Sequence, residues 1–363
     1  MTQHFHNVQA LRGVACLMVV LGHLRSWDVA FVGGTPGFGV IKYFGFAGVD
    51  LFFVLSGFII TATNRKSIGR PAALPGYLFR RAWRIYPTYW AAMVLIVAAA
   101  WATIGAEALL SEAAGRWPEW TALAPLDDTN PVIGPAWTLT YELMFYAAFG
   151  LLLCLPPRAA AAGLAAWAVV VTAALFTPVP TNRWAVLPLS PFVFEFLGGC
   201  LVAWLTGRSV RGRPGAALAA GLAWATVGIV VVAAGPIDYG VAIGAVRLRV
   251  LVFGPAAVLI VYAAVAAEGR WRVPRWLLRT GDASYSLYLT HGAVMLAAIY
   301  LGTKVPHTRV PHLTGLVVTL GVALAVGFVF YALVEKPLLN LGRRRPKPAP
   351  AVAVPAVPLS RAA

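Results

Sequence analysis

The chain has 363 residues, of which 60% are hydrophobic and 12% are charged, and its mean hydropathy is +0.76. Soluble domains carry roughly 25% charged residues, so this composition excludes an ordinary soluble protein. The net charge of +16 does not indicate nucleic-acid binding, because the cations cluster between apolar segments instead of forming one basic face. Cys16, Cys154 and Cys200 lie in apolar runs, and we predict that they only pack.

Apolar runs recur along the chain, and about 20 apolar residues suffice for one helix to cross a bilayer. We therefore predict an all-α polytopic protein of the inner (plasma) membrane, with about ten transmembrane helices. The predicted spans cover residues 8–27, 45–62, 86–104, 135–155, 159–176, 189–206, 215–235, 250–267, 283–302 and 313–334. Residues 1–341 form the predicted membrane domain, and the basic, Pro/Ala-rich tail 342–363 is expected to be disordered.

The charges between the spans predict the orientation. Twenty of the 29 Lys and Arg residues fall on one side of the predicted membrane and eight fall on the other. By the positive-inside rule the first side is cytoplasmic, and both termini lie there. The eight cations predicted outside are Arg25, Lys42, Arg116, Arg183, Arg247, Arg249, Lys304 and Arg309.

Ionisable groups inside a span are costly unless they are paired or hydrated, so they are candidates for function. Arg12 and His23 lie about three helical turns apart in the first span, roughly 16 Å along the axis, and should face the same way. Asp50 and Glu142 are predicted at a depth comparable to that of His23. A carboxylate beside a histidine orients the ring of a general base, and the sequence does not choose between these two.

Two further groups of polar residues stand near predicted span ends. Arg81 and Arg84, one turn apart at the start of the third span, form a cationic patch where a phosphorylated cytosolic ligand would arrive. Ordinary anchoring of the helix is the alternative. Ser284, Tyr288 and His291 share one face of the ninth span, where His291 is expected to line a tunnel, relay protons or act in catalysis. No spacing typical of metal ligands occurs, so we expect no metal.

Residues 7–13 (NVQALRG), running on to His23, resemble the opening of the acyltransferase family 3 proteins, which are membrane O-acyltransferases of bacterial O-antigen, exopolysaccharide and some antibiotics. The likeness covers essentially the whole chain in the right order. It includes residues 50–58 (DLFFVLSGF), Arg81 with Arg84-Ile85-Tyr86-Pro87, Trp137 with Glu142 and Phe145-Tyr146, Ser284-Tyr285 with Tyr288-Leu289 and His291, and Glu335-Lys336-Pro337. The opening is most similar to the exopolysaccharide-modifying branch.

The resemblance implies an enzyme that moves an acyl group, most often acetyl in the family, from acyl-CoA to a hydroxyl of a glycan or another glycosylated acceptor. It implies that Arg12 and His23 are essential and that Arg81 and Arg84 serve the acyl-CoA, with the pantetheine arm passing Arg12. The acyl-CoA is a co-substrate, and no bound cofactor is expected. The expected pocket-lining residues are Ser56, Trp137, Tyr141, Ser284, Tyr288 and His291.

Two alternatives remain open at the level of sequence. His23, assisted by Glu142 or Asp50, would deprotonate the acceptor directly, or an acyl-enzyme would form on His23 or on a hydroxyl residue. The external cations would attract an anionic glycan.

A transporter of a lipid-linked sugar or a small polar solute is the competing function, since the same polar groups would line its path. The chain shows no repeated halves typical of many transporters. The oligomeric state is not predicted.

Overall fold

The computed structural model describes residues 5–32, 41–105, 107, 111, 115–125, 132–178, 180, 182–207, 212–234, 243–304 and 312–343. Within these ranges the chain is helical and contains no strand. The described residues form fourteen α-helices: α1 His6–Val32, α2 Ile41–Asn64, α3 Leu74–Ile104, α4 Trp117–Ala122, α5 Trp137–Leu153, α6 Pro157–Ala174, α7 Arg183–Leu189, α8 Phe192–Gly207, α9 Pro214–Ala234, α10 Ile243–Ala266, α11 Arg275–Asp282, α12 Ser284–Thr303, α13 His312–Phe330 and α14 Lys336–Arg343. A π-helical turn, Tyr331–Glu335, joins α13 to α14.

Ten helical segments of the described chain are long and apolar enough to cross a membrane. They match the ten predicted spans in number and order, so the prediction of a polytopic α-helical membrane protein is confirmed. The third and tenth segments exceed their predicted lengths most, because α3 begins well before residue 86 and the tenth segment continues through the π-helical turn to Gly342. Helix α14 ends at Arg343, and residues 344–363, most of the predicted disordered tail, lie outside the described residues.

Helix α10 corrects one prediction. We expected Arg249 in an external loop, but α10 begins at Ile243, and Arg249 is only 3% exposed. The expectation was wrong because an arginine normally ends an apolar span, whereas here Asp50 on α2 supplies a buried partner for its charge. Arg247 lies in the same helix and bonds to the carbonyl oxygens of Ala174 and Thr177.

Helix α2 is central, because it packs against α1, α8 and α10. Its approach to α8 depends on glycine: a methyl group on Gly57 would collide with the main chain of Phe196, and one on Gly199 with the main chain of Val54. The two residues beside Gly57 face different surroundings. Ser56 turns into a cavity, and Phe58 is buried with its ring 5.2 Å from that of Phe5.

Polar contacts fix the start of α1 against the following helices. The carboxylate of Glu268 accepts hydrogen bonds from the main-chain N–H groups of His6 (2.7 Å) and Asn7 (3.0 Å). These N–H groups have no partner within the helix, so Glu268 serves as a helix cap from a distant part of the chain. Gln9 donates a 2.7 Å hydrogen bond to Asp282 at the end of α11. As a result α1 lies along α11 and α12.

The membrane orientation remains a prediction, and a reporter enzyme that works only outside the cytoplasm tests it. A fusion after Arg345 should be silent, because the excess of positive charge holds that end inside. An insertion near Asp128 should be active. The opposite pair of signals would reverse the orientation and move the arginine patch to the outer face.

Candidate active site

A cavity of about 170 Å³ lies between α1, α2, α3, α5 and α12. Its charged lining consists of Arg12, Arg81, Arg84 and Glu142. Its uncharged polar lining consists of Ser56, Thr138, Tyr146, Ser284, Tyr285 and Tyr288. Seven of the predicted site residues therefore meet in one place, although they come from five helices. Three guanidinium groups face one carboxylate there, so the cavity carries an excess of positive charge.

Arg12 and Arg81 are held by neutral groups. Arg12 donates hydrogen bonds to Ser284 (3.1 Å) and Gln9 (3.4 Å). Arg81 donates to Thr63 (3.3 Å) and lies 5.3 Å from the ring centroid of Tyr146, a cation–π distance. Among the described residues neither arginine has a carboxylate within salt-bridge distance, which leaves their charge available to an anionic ligand.

Arg84 is different, because it makes a salt bridge with Glu335. The distance between Arg84 Nη1 and Glu335 Oε1 is 2.7 Å, and the glutamate side chain is fully buried. The guanidinium also lies 5.4 Å from the centroid of the Tyr285 ring. Planar groups of this kind suit bidentate binding of phosphate, and the half-buried Arg84 still lines the cavity.

Glu142 enters the cavity from α5 and is oriented by two hydroxyl groups. Ser56 donates a 2.9 Å hydrogen bond to Glu142 Oε1, and Tyr146 donates a short hydrogen bond to the same oxygen. Ser56 stands on α2 and Tyr146 one turn after Glu142 on α5, so the carboxylate is fixed between two helices. The structure places it beside the arginines and gives it no contact with His23.

Phe52 and Tyr288 also line the cavity, and Tyr288 stands one turn of α12 beyond Ser284, the partner of Arg12. Their ring centroids are 5.9 Å apart. The hydroxyl of Tyr288 lies 2.7 Å from the hydroxyl of Thr138 and donates to the carbonyl of Pro135 at 2.8 Å. The ring of Tyr288 is thus held in place as a wall of the cavity.

His23 and His291 form a pair with ring centroids 4.8 Å apart in an edge-to-face arrangement. Arg12 on the same helix contacts Ser284, so both α1 residues face α12, as their spacing predicts. The His291 ring is 6.1 Å from that of Tyr288. The histidines are not among the lining residues of the cavity, and His291 packs against the lining residue Tyr288.

The hydrogen bonds of the two rings fix their tautomers. Nδ1 of His23 lies 2.8 Å from the Val19 carbonyl, and Nδ1 of His291 lies 3.1 Å from the Leu287 carbonyl. A carbonyl oxygen only accepts, so each Nδ1 must carry the proton and each neutral ring has its lone pair on Nε2. For the buried His291, Nε2 has no hydrogen-bond partner among the described residues. A backbone carbonyl thus orients His23, where we expected a carboxylate to do so.

Asp50 belongs to a different cluster. Its carboxylate accepts two hydrogen bonds from Nε of Arg249, at 3.1 and 3.2 Å, and the carboxylate of Glu195 lies beside this pair. All three residues are buried. Trp137 is also here, with its ring 5.8 Å from the Arg249 guanidinium, and Tyr141 packs against Trp137 at 5.9 Å. Asp50, Trp137 and Tyr141 are not among the lining residues of the cavity, and their predicted roles stay predictions.

Glu335, Tyr146 and Arg249 hold other site residues but were not predicted as site residues. For Glu335 the only signal was its place in the Glu335-Lys336-Pro337 motif, which is part of the resemblance described above. Across the described ranges no group of three or more His, Cys, Asp or Glu residues has the arrangement of a metal site.

Comparison with known proteins decides what kind of protein carries this cavity. A family model described as an acyltransferase domain matches residues 5–332. The chain belongs to that family. It is 30% identical to the exopolysaccharide production protein ExoZ of Rhizobium meliloti (strain 1021) over 322 residues, which are 83% of this chain and 92% of ExoZ. It is 32% identical to protein 2 in the picA locus of Rhizobium radiobacter over 97 residues, 26% of this chain and 46% of that protein. No solved structure shows significant similarity to the chain.

The chain is thus an O-acyltransferase and a multi-pass membrane protein. Family membership favours the enzyme over the transporter. The cavity, built from most of the motifs that carry the resemblance to the family, is the candidate active site of the acyltransferase.

The buried cluster on α2, α8 and α10 leads to a prediction about stability. Arg249→Met should lower the free energy of unfolding by roughly 3–5 kcal/mol, because it leaves two adjacent buried carboxylates without a cation. Asp50→Asn should lower the free energy of unfolding by a smaller amount, since Glu195 remains beside Arg249. Thermal unfolding of the purified acyltransferase in detergent measures both. Arg247→Met is the matched control, and equal losses at positions 247 and 249 would contradict the prediction.

Proposed function

We propose that the acyltransferase moves an acyl group, acetyl in the first instance, from acyl-CoA to a hydroxyl of a glycan. The observation that carries the proposal is a cavity whose lining combines three arginines with the aromatic rings of Phe52 and Tyr288. An acyl-CoA has groups to match both, with phosphates at one end and a short acyl thioester at the other.

The donor enters from the side of Arg81 and Arg84, which is cytoplasmic in the predicted orientation. Phosphate oxygens take the place of water around the guanidinium groups, whose charge exceeds that of Glu142. The cavity is smaller than the roughly 300–1,000 Å³ of sites that enclose a small molecule. It therefore receives the end of the pantetheine arm, while the nucleotide stays at the mouth.

The thioester must pass the wall of Phe52 and Tyr288 to reach His23. Nε2 of His23 then takes the proton of the acceptor hydroxyl as the oxygen attacks the thioester carbonyl. The carbon–sulfur bond breaks, the electron pair leaves with the sulfur, and the imidazolium returns the proton to give free CoA thiol. The cycle consumes no net proton and needs no further reactant. His291 excludes water beside His23, and Glu142 remains with the donor, held by Ser56 and Tyr146.

An exopolysaccharide is the acceptor that the comparison favours. The related ExoZ is described as an exopolysaccharide production protein, and the match covers nearly all of it. We infer a transfer across the inner membrane, with the donor on the cytoplasmic side and the glycan arriving from outside, since His23 lies beyond the cavity wall. The cations predicted in the external loops, without Arg247 and Arg249, which lie in α10, would favour an anionic glycan.

Purified acyltransferase with acetyl-CoA and an exopolysaccharide fragment tests the function. The wild type should release free CoA thiol faster when the acceptor is present. His23→Ala should lower this rate by about 10²–10⁴-fold, because it removes the group that accepts the proton. His6→Ala, which changes an exposed histidine at the start of the same helix, should keep the wild-type rate. If His23→Ala retained more than about a tenth of the rate, a loss of only ~1.4 kcal/mol, the histidine would not be the base.

Arg81→Ala separates donor binding from chemistry. It should raise the KM for acetyl-CoA, and the difference from wild type should shrink as salt screens the interaction. It should leave an acetyl thioester of pantetheine, which lacks the nucleotide phosphates, nearly unaffected. Arg80→Ala is the matched control, because Arg80 is exposed one position earlier and does not line the cavity. Equal losses with both donors would make Arg81 a helix anchor.

A further inference from the structure

We propose that Glu335 is a positioning residue that aims Arg84 and, through the first turn of α12, Arg12 at the donor phosphates. This inference rests on the proposed function, since it presumes that the arginines bind acyl-CoA. Glu335 is outside the cavity lining and does not contact the ligand. It acts through the groups that it holds.

The two oxygens of Glu335 have separate partners on different helices. Oε1 makes the 2.7 Å salt bridge with Arg84 on α3. Oε2 accepts a 2.6 Å hydrogen bond from the hydroxyl of Ser286 and a 3.1 Å bond from its main-chain N–H on α12. A fully buried carboxylate with three such contacts has little freedom to move. Glu335 thus ties one cavity arginine to the start of α12.

The first turn of α12 contacts both arginines. Ser284 accepts the hydrogen bond of Arg12, and the ring of Tyr285 lies against the guanidinium of Arg84. The hydroxyl of Tyr285 donates to the Ile85 carbonyl on α3 at 3.0 Å, which binds the same two helices again. Three consecutive residues therefore connect Arg12, Arg84 and Glu335, and a shift of this turn would misplace two donor-binding groups together.

The π-helical turn explains how Glu335 reaches this position. Its backbone places the N–H of Lys336 against the carbonyl of Tyr331, five residues back. A π-turn rotates the following residues away from their α-helical direction, and such turns are frequent at functional sites. Pro337 has no N–H to donate, so the wide turn costs no hydrogen bond at that residue. The Glu335-Lys336-Pro337 motif thus combines a buried carboxylate with the backbone that directs it inward.

A second contact between the same helices should preserve the fold when Glu335 is changed. The indole N–H of Trp83 donates a 2.9 Å hydrogen bond to the Leu338 carbonyl, joining α3 to α14. Glu335→Gln also keeps an acceptor for Ser286 and an oxygen or nitrogen near Arg84, while it removes the charge. The variant therefore tests how Glu335 orients the arginines, while the contact between α3 and α14 is kept.

Glu335→Gln should raise the KM for acetyl-CoA by about 5- to 100-fold, the range expected for a broken coupling between contacting residues. It should leave kcat within about twofold, and it should hardly affect the acetyl thioester of pantetheine. In an Arg84→Ala background the same substitution should raise the KM further by less than about threefold, because most of its effect passes through Arg84. Ser286→Ala, which keeps the charge, should raise the KM in the same direction by a smaller factor.

Glu268→Gln is the matched control, because Glu268 also holds a helix start by two hydrogen bonds but meets no cavity arginine. Its donor KM should equal that of the wild type. An unchanged donor KM in Glu335→Gln, a full effect retained in the Arg84→Ala background, or equal losses with both donors would overturn the inference. A wild type that consumes no acetyl-CoA would instead overturn the proposed function on which it rests.

Discussion

Buried charges paired between distant helices organise this bundle. An unpaired charged side chain at the middle of a bilayer costs about 2.5–3.5 kcal/mol on insertion scales, so a buried carboxylate and its cation must be brought together as the helices assemble. Asp50 and Arg249 join α2 to α10, and Arg84 and Glu335 join α3 to the end of the tenth span. The first pair is enclosed by packing. The second pair lies at the edge of the cavity, where one partner remains accessible to a ligand.

The cavity differs from the buried cluster in how completely its charges are compensated. In the cluster the guanidinium of Arg249 is paired with the carboxylate of Asp50, and the side chain of Glu195 lies close by. In the cavity Arg12 and Arg81 are held by hydroxyl, amide and aromatic groups, which orient a guanidinium without neutralising it. Orientation without neutralisation is what a binding site for an anion requires, since the ligand itself supplies the missing charge. A guanidinium group without a carboxylate partner would destabilise a packed core, but it suits a binding site for an anionic donor.

The sequence was sufficient for the features that follow local periodicity. Apolar length predicted ten spans, and helical spacing predicted that Arg12 and His23 share a face and that Ser284 and Tyr288 do so. The sequence was insufficient to predict which charged side chains pair between distant helices. Asp50 and Arg249 are 199 residues apart, so no local pattern shows that they meet. For the same reason the depth of Asp50 made it a plausible partner of His23, although its partner is Arg249.

The orientation of His23 by a backbone carbonyl has a chemical consequence. A carboxylate would both orient the ring and stabilise the imidazolium, whereas a neutral carbonyl mainly orients it and fixes the tautomer. In a direct transfer the imidazolium lasts only until the thiolate departs and takes the proton, so strong stabilisation would slow the second proton transfer. The i−4 carbonyl is present wherever a histidine stands in a helix, and both His23 and His291 use it. Within the bilayer this arrangement would give the base that we propose a lone pair on Nε2 without introducing another buried negative charge.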